Sequence, residues 1–252
     1  MGFFKKDEVI VKGKSFGSNC VYPSIFKDYF LEAINQSGYQ NKIIYKDLND
    51  ISINLLDMKV NMYSVNIILG TIFRHYKKVK FNVLQVKKIY HVKEYQLYNV
   101  KISINFKGLK YLMNLYVGNT LKNFPSRKKI VYFMPTLKKN IEIYTYTKEE
   151  ILADLFYQIT NNLNINAINL YNLYLMFNDN INTSDLKIAL KRLYLSIFDN
   201  IDINFINKGI LNIKNNKKLY EKWLIFKNIN PSISILYEDI IKILYLIALK
   251  LK

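Results

Sequence analysis

Basic side chains recur along the middle of the chain, with aromatic residues between them. Tyr90, Tyr95 and Tyr98 stand among these cations. Cations neutralise phosphates and aromatic rings stack on unpaired bases, so this mixture predicts a face that binds single-stranded nucleic acid. Tyrosine is also common on half-exposed strands because of β propensity alone, and that interpretation stays open. The candidate binding residues are Lys77, Lys78, Lys80, Lys87, Lys88, Arg127, Lys128 and Lys129.

The whole chain shares this basic character. Its 252 residues include 37 Lys and Arg against 19 Asp and Glu, a net charge of +18. The only arginines are Arg74, Arg127 and Arg192. Lysine acts as a point charge, whereas bidentate base recognition is typical of arginine. We therefore expect phosphate contacts with little sequence specificity, to RNA, or contacts to an acidic protein or ribonucleoprotein surface. Lysine bias that serves solubility alone is the alternative.

Metal-binding and nucleophilic residue types are scarce. Cys20 is the only cysteine, and His75 and His91 are the only histidines. This composition predicts neither a disulfide framework nor a zinc site. A hydrolase with a histidine base would have to use one of these two residues, and no neighbouring pattern marks either of them. The charged start of the chain predicts no signal peptide, so we expect a cytoplasmic protein.

Periodicity in the first part of the chain predicts helices and strands together. Asp50, Ser52 and Asn54 alternate onto one face of a predicted strand, so Asp50 is the one acid there that could serve a metal. The predicted helices are 23–37 and 60–76, and the predicted strands are 42–45, 51–56, 81–92, 95–106 and 111–117.

The second part of the chain is predicted to be helical after a short strand at 141–144. Thr147 and Glu150 form a capping-box pattern at the start of a helix. Thr183 opens another helix, residues 199–215 are ambiguous, and Pro231 is expected to begin the last helix. Charges interrupt that last helix, so it is too short to span a membrane. The pattern predicts an α+β fold with two domains, residues 1–145 and 146–252, the second a helical bundle.

Three segments carry a resemblance to a known family. Residues 146–156, YTKEEILADLF, match its "Y-x-x-E-x-x-L-A-x-K-L" segment; residues 168–174, INLYNLY, match its following helix motif; residues 113–119, MNLYVGN, match one of its strands. On these residues the chain resembles the AbiEii/AbiGii-type nucleotidyltransferases, the toxin half of a bacterial abortive-infection and toxin–antitoxin system. The resemblance implies a nucleotidyltransferase-like mixed sheet with flanking helices, followed by a helical bundle.

The resemblance also implies catalytic residues that this chain lacks at the matching positions. Nucleotidyl transfer needs acidic ligands for Mg²⁺, and an amide of the same shape carries no charge to offset a metal bound to a triphosphate. The family's phosphate-gripping helix between two strands is expected to be missing or reduced to a turn at 46–50. The family positions with altered letters are Ser52, Asn54, Asn114, Leu155, Ile168, Asn169 and Asn172.

These observations favour a catalytically inactive binding protein with neither metal nor cofactor. It would contact RNA or a ribonucleoprotein in phage defence, counter-defence or a toxin–antitoxin system. An active, divergent enzyme that uses Mg²⁺ and a nucleoside triphosphate is the alternative, and it would recruit acids from elsewhere in the chain. A structural subunit of a larger assembly is a second alternative. The acids open to the enzyme are Asp50, Asp57, Glu142 and Asp154.

Overall fold

Strands and helices are combined in the first part of the described chain, and only helices follow. The computed structural model describes residues 24–47, 51–56, 58, 60–92, 95–120, 124–126, 128–163 and 165–251. Within these ranges seven strands form one mixed sheet, and there are eight α-helices. The predicted α+β class is therefore confirmed. Predictions that concern Asp50, Asp57 and Arg127 fall outside the described residues.

The described residues divide into two compact units. The sheet unit contains residues 24–120 and 128–145, and the helical unit contains residues 124–126 and 146–251, each without the gaps given above. The sheet unit is built, in chain order, from α1 Ser24–Gln36, a 3-10 turn Gln40–Lys42, β1 Ile43–Asp47, β2 Ser52–Leu55, α2 Met62–His75, β3 Lys80–Val92, β4 Tyr95–Phe106, β5 Leu109–Asn119, β6 Lys128–Met134 and β7 Lys139–Thr145.

The strand order in the sheet is β3-β4-β5-β2-β1-β7-β6. The pairs β2–β5 and β1–β7 are parallel, and the other neighbours are antiparallel. The predicted three-strand meander corresponds to β3, β4 and β5. Along β5 the residues Met113, Leu115 and Val117 are buried, whereas Asn114 and Tyr116 are exposed. This alternation gives the sheet one apolar face and one face with polar side chains.

Helices α1 and α2 pack on the apolar face of the sheet. The ring of Phe26 lies 4.7 Å from that of Tyr111, and Phe73 stacks on Phe81 with 4.8 Å between ring centroids. Helix α2 begins at a capping box in which Asn61 Oδ1 accepts from Ser64 N at 2.8 Å, and Ser64 Oγ accepts from Asn61 N at 2.9 Å. The cap fixes where α2 starts, and thereby where its C-terminal end meets β3.

Strand β6 was not predicted. It forms one edge of the sheet beside β7. Val131 and Phe133 are exposed, and Lys128 and Lys129 open the strand. An edge strand with exposed apolar side chains and charged residues has no clear hydrophobic alternation, so its pattern gave no strand signal.

The helical unit consists of six helices within the described residues. The predicted capping box is confirmed: Glu150 N donates to Thr147 Oγ1 at 3.2 Å, and Thr147 N donates to Glu150 Oε2 at 2.9 Å. No helix in the described ranges has the length and apolar character that a bilayer crossing requires. The helices are α3 Lys148–Thr160, α4 Ala167–Asn178, α5 Thr183–Ile197, α6 Ile203–Lys214, α7 Lys217–Ile229 and α8 Tyr237–Leu249.

Two helix boundaries were not predicted correctly from the sequence and were located by the structure. The ambiguous segment contains α6, whose N-cap Asp202 accepts from the backbone of Asn204 at 2.9 Å. The prediction that Pro231 begins the last helix was wrong, because Pro231 follows the end of α7 and Ile233 N donates back to Asn230 O at 3.0 Å. Helix α8 begins six residues later in the chain, at Tyr237.

Candidate nucleic-acid interface

The structure brings together three of the altered family positions. Ser52 and Asn54 lie on β2, and Asn114 lies on the neighbouring strand β5. Ser52 pairs with Tyr116, and Asn54 pairs with Gly118. Asn114 is two residues before Tyr116, so its side chain leaves the same face of the sheet. The predicted neighbourhood therefore exists, but its polar groups are a hydroxyl and two amides.

Asn54 is packed into the sheet. Its side chain is 1% exposed and lies over Gly118. A Cβ atom at position 118 would clash with Asn54 Oδ1 and lie 3.3 Å from the carbonyl oxygen of Gln96. Glycine at 118 is therefore required by this close approach, and the amide of Asn54 occupies the space that an open ligand site would need.

A lysine stands beside Asn114. Lys101 on β4 is directly opposite Asn114 in the antiparallel pair, and both side chains are exposed. The ammonium group of Lys101 would repel a Mg²⁺ ion bound at Asn114 on the neighbouring strand. Neither β2 nor β5 contains an acidic residue to offset that charge. β2 and β5 offer hydroxyl and amide groups here, with Lys101 on β4 opposite Asn114 and Asp47 on β1 opposite Ser52.

The connection between β1 and β2 leaves no room for a helix. β1 ends at Asp47 and β2 begins at Ser52, and the two strands pair with each other in antiparallel fashion. Four residues, 48–51, separate them. A helix that grips phosphates with its N-terminal amides needs at least a full turn and its own cap. Four residues are too few for such a helix together with its cap.

Two of the four acids open to the divergent enzyme are described by the structure, and both are already bonded. Glu142 lies on β7 and is exposed, with its carboxylate 2.6 Å from Lys129 Nζ. Asp154 is buried on α3 and accepts from Gln158 Nε2 at 2.8 Å. In the part of the chain that the structure describes, no three His, Cys, Asp or Glu side chains gather as metal ligands would.

The altered positions in the helical unit have structural surroundings. Leu155 is half-buried on α3, and Ile168 is exposed on α4. Asn169 N donates to Asn166 Oδ1 at 2.8 Å, which makes this stretch the N-terminal cap of α4. Asn172 is exposed one turn later. Asn169 takes part in the cap that begins α4, and Ile168 and Asn172 are exposed on the surface of that helix.

The structure does not keep the predicted basic residues together. Lys77 and Lys80 lie where α2 meets β3, and Lys87 and Lys88 are exposed farther along β3. Lys128 and Lys129 lie on β6, at the opposite edge of the sheet. Strand order decides this separation, because β6 joins the sheet through β7 and β1. Tyr98 is buried, and its hydroxyl donates to Gln96 Oε1 at 2.8 Å, so its ring is not a stacking platform.

Lys78 belongs to a buried ionic cluster around Glu32. The carboxylate of Glu32, 1% exposed, accepts from Tyr76 Oη at 2.5 Å, from Lys139 Nζ at 2.5 Å and from Lys78 Nζ at 3.2 Å. Burial raises the pKa of Glu32, but the hydrogen bonds from Lys139, Tyr76 and Lys78 outweigh burial and hold the pKa below its ordinary value of 4.5. One turn earlier, Asp28 Oδ2 accepts from Thr136 N at 2.7 Å. The two carboxylates fasten α1 to the turn between β6 and β7.

A groove of about 600 Å³ lies beside this cluster, between the C-terminal half of α2 and the start of β3. Arg74, Lys77 and Lys80 line it, with all three side chains exposed. Arg74 was missed as a binding residue. The available signal was its place in the last turn of a predicted helix, three residues before Lys77 in the chain.

Comparison with known proteins gives similarity of fold alone. No family model matches the chain, and no curated protein matches it. Two solved structures from Helicobacter pylori are similar. The first, described as a candidate nucleotidyltransferase, has a TM-score of 0.42 at 12% identity, covering 90% of this chain and 93% of its own. The second, JHP933, has a TM-score of 0.43 at 11% identity, covering 92% of each chain.

Proposed function

We propose that this chain is a catalytically inactive, nucleotidyltransferase-like protein that binds RNA through its basic surface. The observation that carries the proposal is the face shared by β2 and β5. Where the family resemblance puts metal carboxylates, this chain has Ser52, Asn54 and Asn114, with Lys101 opposite. The resemblance to AbiEii-type toxins suggests a cytoplasmic role in phage defence, counter-defence or a toxin–antitoxin system.

Charge supports RNA as the partner. A net charge of +18 attracts polyanions, and nearly all the cations are lysines, which contact phosphates as point charges. Sequence-independent binding with a strong salt dependence follows from that chemistry. The short β1–β2 connection supports the inactive state independently, since residues 48–51 are too few for a phosphate-gripping helix with its cap.

Two titrations test the proposal. Calorimetry with each nucleoside triphosphate, with and without Mg²⁺, at low salt should give no saturable binding that requires Mg²⁺. Fluorescence anisotropy with a labelled single-stranded RNA should give saturable binding that weakens steeply with salt. Mg²⁺-dependent transfer of a nucleotide to RNA or protein would refute the inactive state. Nucleotide binding that disappears in Asp50→Ala would direct attention to the divergent-enzyme alternative.

Restoring the missing acids provides a sharper control. Asn114→Asp is an exposed change and should fold, and Asn54→Asp with Asn114→Asp returns both family carboxylates. We expect neither variant to bind a triphosphate with Mg²⁺, because Lys101 pairs with Asp at 114 and the phosphate helix is still missing. Gain of Mg²⁺-dependent binding in either variant would show that the amides alone keep the site inactive.

A further inference from the structure

Within the described residues, the groove between α2 and β3 has no acidic residue in its lining. Its polar lining groups are the cations Arg74, Lys77 and Lys80 and the amides of Asn66 and Asn82. None of the three cations forms an ion pair with a described residue. Uncompensated cations around one concave surface create a positive potential that a bound anion would neutralise.

Lys78 shows that the lack of an ion pair is particular to the groove cations and does not extend to every lysine of this segment. It lies between Lys77 and Val79 in sequence, yet its ammonium bonds both carboxylate oxygens of Glu32 at 3.2 Å. Tyr76 also turns its hydroxyl to Glu32. The buried acid is thus fully engaged on the other side of the segment, and it leaves the groove cations uncompensated.

The floor of the groove indicates how a ligand would lie in it. Phe73, Tyr76 and Phe81 line the groove but are 7%, 4% and 5% exposed. Rings that are this buried cannot stack on bases, so a bound strand would present its phosphates to the cations and its bases to solvent. β3 is an edge strand, which leaves the groove open along one side for an extended chain.

Gly70 keeps the groove open from the helix side. It lies on α2 within the lining, and a Cβ atom there would meet no atom within 4 Å. A side chain at position 70 would therefore enter the groove without disturbing the fold. This makes position 70 a steric and electrostatic probe of whatever the groove binds.

We infer that this groove holds the sugar–phosphate backbone of single-stranded RNA, with Arg74, Lys77 and Lys80 each contacting a phosphate. The inference rests on the proposed function and names its binding site. Arg74 can hold a phosphate in bidentate fashion, and the two lysines add point charges on either side. No base is read, so oligouridylate and oligoadenylate should bind with similar affinity.

The main test compares two triple variants of equal charge. The groove variant is Arg74→Gln, Lys77→Gln and Lys80→Gln. The control is Arg192→Gln, Lys187→Gln and Lys222→Gln, three exposed cations of the helical unit. Anisotropy with labelled oligouridylate should show a loss on the order of 100-fold at low salt for the groove variant. Its plot of log affinity against log salt should become shallower by about 2, since each phosphate contact on a single strand contributes about 0.7.

A second test uses Gly70. In Gly70→Glu the new carboxylate lies one turn before Arg74, where a glutamate pairs well with a basic residue, and it also repels phosphates. We expect binding at least about tenfold weaker than in Gly70→Gln, which adds the same bulk without charge. Gly70→Ala should bind like the unmodified protein.

The possible outcomes distinguish a failure of the groove assignment from a failure of the proposed function. If the unmodified protein does not bind RNA, the proposed function fails. If it binds RNA but the two triple variants weaken equally, the function stands and the groove is not the site. Polyglutamate that binds as tightly as RNA, with the same dependence on the groove, would identify an acidic protein as the partner and overturn RNA. Single-stranded DNA that binds equally well shows that the groove reads phosphates alone, as inferred.

Discussion

Two neighbouring groups of cations in the sheet unit use their charge in opposite ways. In the cluster around Glu32, Lys78 and Lys139 bond a buried carboxylate and fasten α1 to the sheet. In the groove, Arg74, Lys77 and Lys80 face no acid at all. The difference teaches that net charge does not identify a binding surface. A cation is available to a partner only when the fold has not already used it.

The largest expected effect comes from the centre of the paired cluster. Glu32→Gln replaces an acceptor of three charge-assisted or short hydrogen bonds and leaves two lysines without their anion. Lys139 and Lys78 are 40% and 57% exposed, so they can be rehydrated, which limits the loss. We expect the free energy of unfolding to fall by about 2–3 kcal/mol. Urea denaturation followed by far-UV circular dichroism measures it, and an unchanged midpoint would contradict the structural role of the cluster.

The same carboxylate predicts a pH dependence. The pKa of Glu32 is lower in the folded protein than its ordinary value of 4.5, so its stabilising contribution is fully present above that value. The contribution is lost as the pH falls through the folded pKa. The stability difference between the unmodified protein and Glu32→Gln should therefore be constant near neutral pH and shrink below about pH 4.5. A difference that persists undiminished into the acid range would assign the effect to packing.

Lys78 and Lys77 form a matched pair of neighbours. Lys78→Gln should cost about 1 kcal/mol, because one partner of the ion pair is buried. Lys77→Gln should change stability by less than about 0.5 kcal/mol, as expected for an exposed cation without a partner. RNA affinity should show the reverse order. Equal effects of the two variants in both assays would remove the distinction between the two groups of cations.

A small gain in stability is expected from a substitution within the groove. Gly70→Ala should stabilise α2 by about 0.5–1 kcal/mol, because alanine favours the helix and nothing opposes its Cβ. Circular dichroism follows the change. Fluorescence of Trp223, which is buried in the helical unit, serves as a separate probe of that unit. A loss of stability would show that the space around position 70 of α2 is more crowded than the structure indicates.

Local sequence patterns predicted much of the fold. The capping box at Thr147 and Glu150 and the three-strand meander were predicted correctly, since both depend on contacts between residues close in sequence. Strand β6 and the start of the last helix were not. The first is apolar on both faces, since Val131 and Phe133 are exposed while Met134 is buried, and Pro231 suits a turn as well as a helix start.

The candidate site was predictable in its chemistry but not in its arrangement. Ser52, Asn54 and Asn114 were identified as uncharged at the family's acidic positions, and residue identity needs no structure. The eight predicted basic residues were expected to gather, yet Lys128 and Lys129 lie across the sheet from Lys77. Sequence patterns do not encode strand order, because it depends on pairing between distant segments.

The sequence by itself determined which chemical groups this protein has: a large excess of lysine, and no acid on β2 or β5. Only the tertiary structure decided which of those lysines are free. Lys78 and Lys139 are 46 and 107 residues from Glu32 along the chain, and packing of α1 on the sheet brings them to one carboxylate. A charged side chain is either bonded within the fold or available to a partner, depending on which groups lie within a few ångströms of it. Long-range folding decides which groups those are.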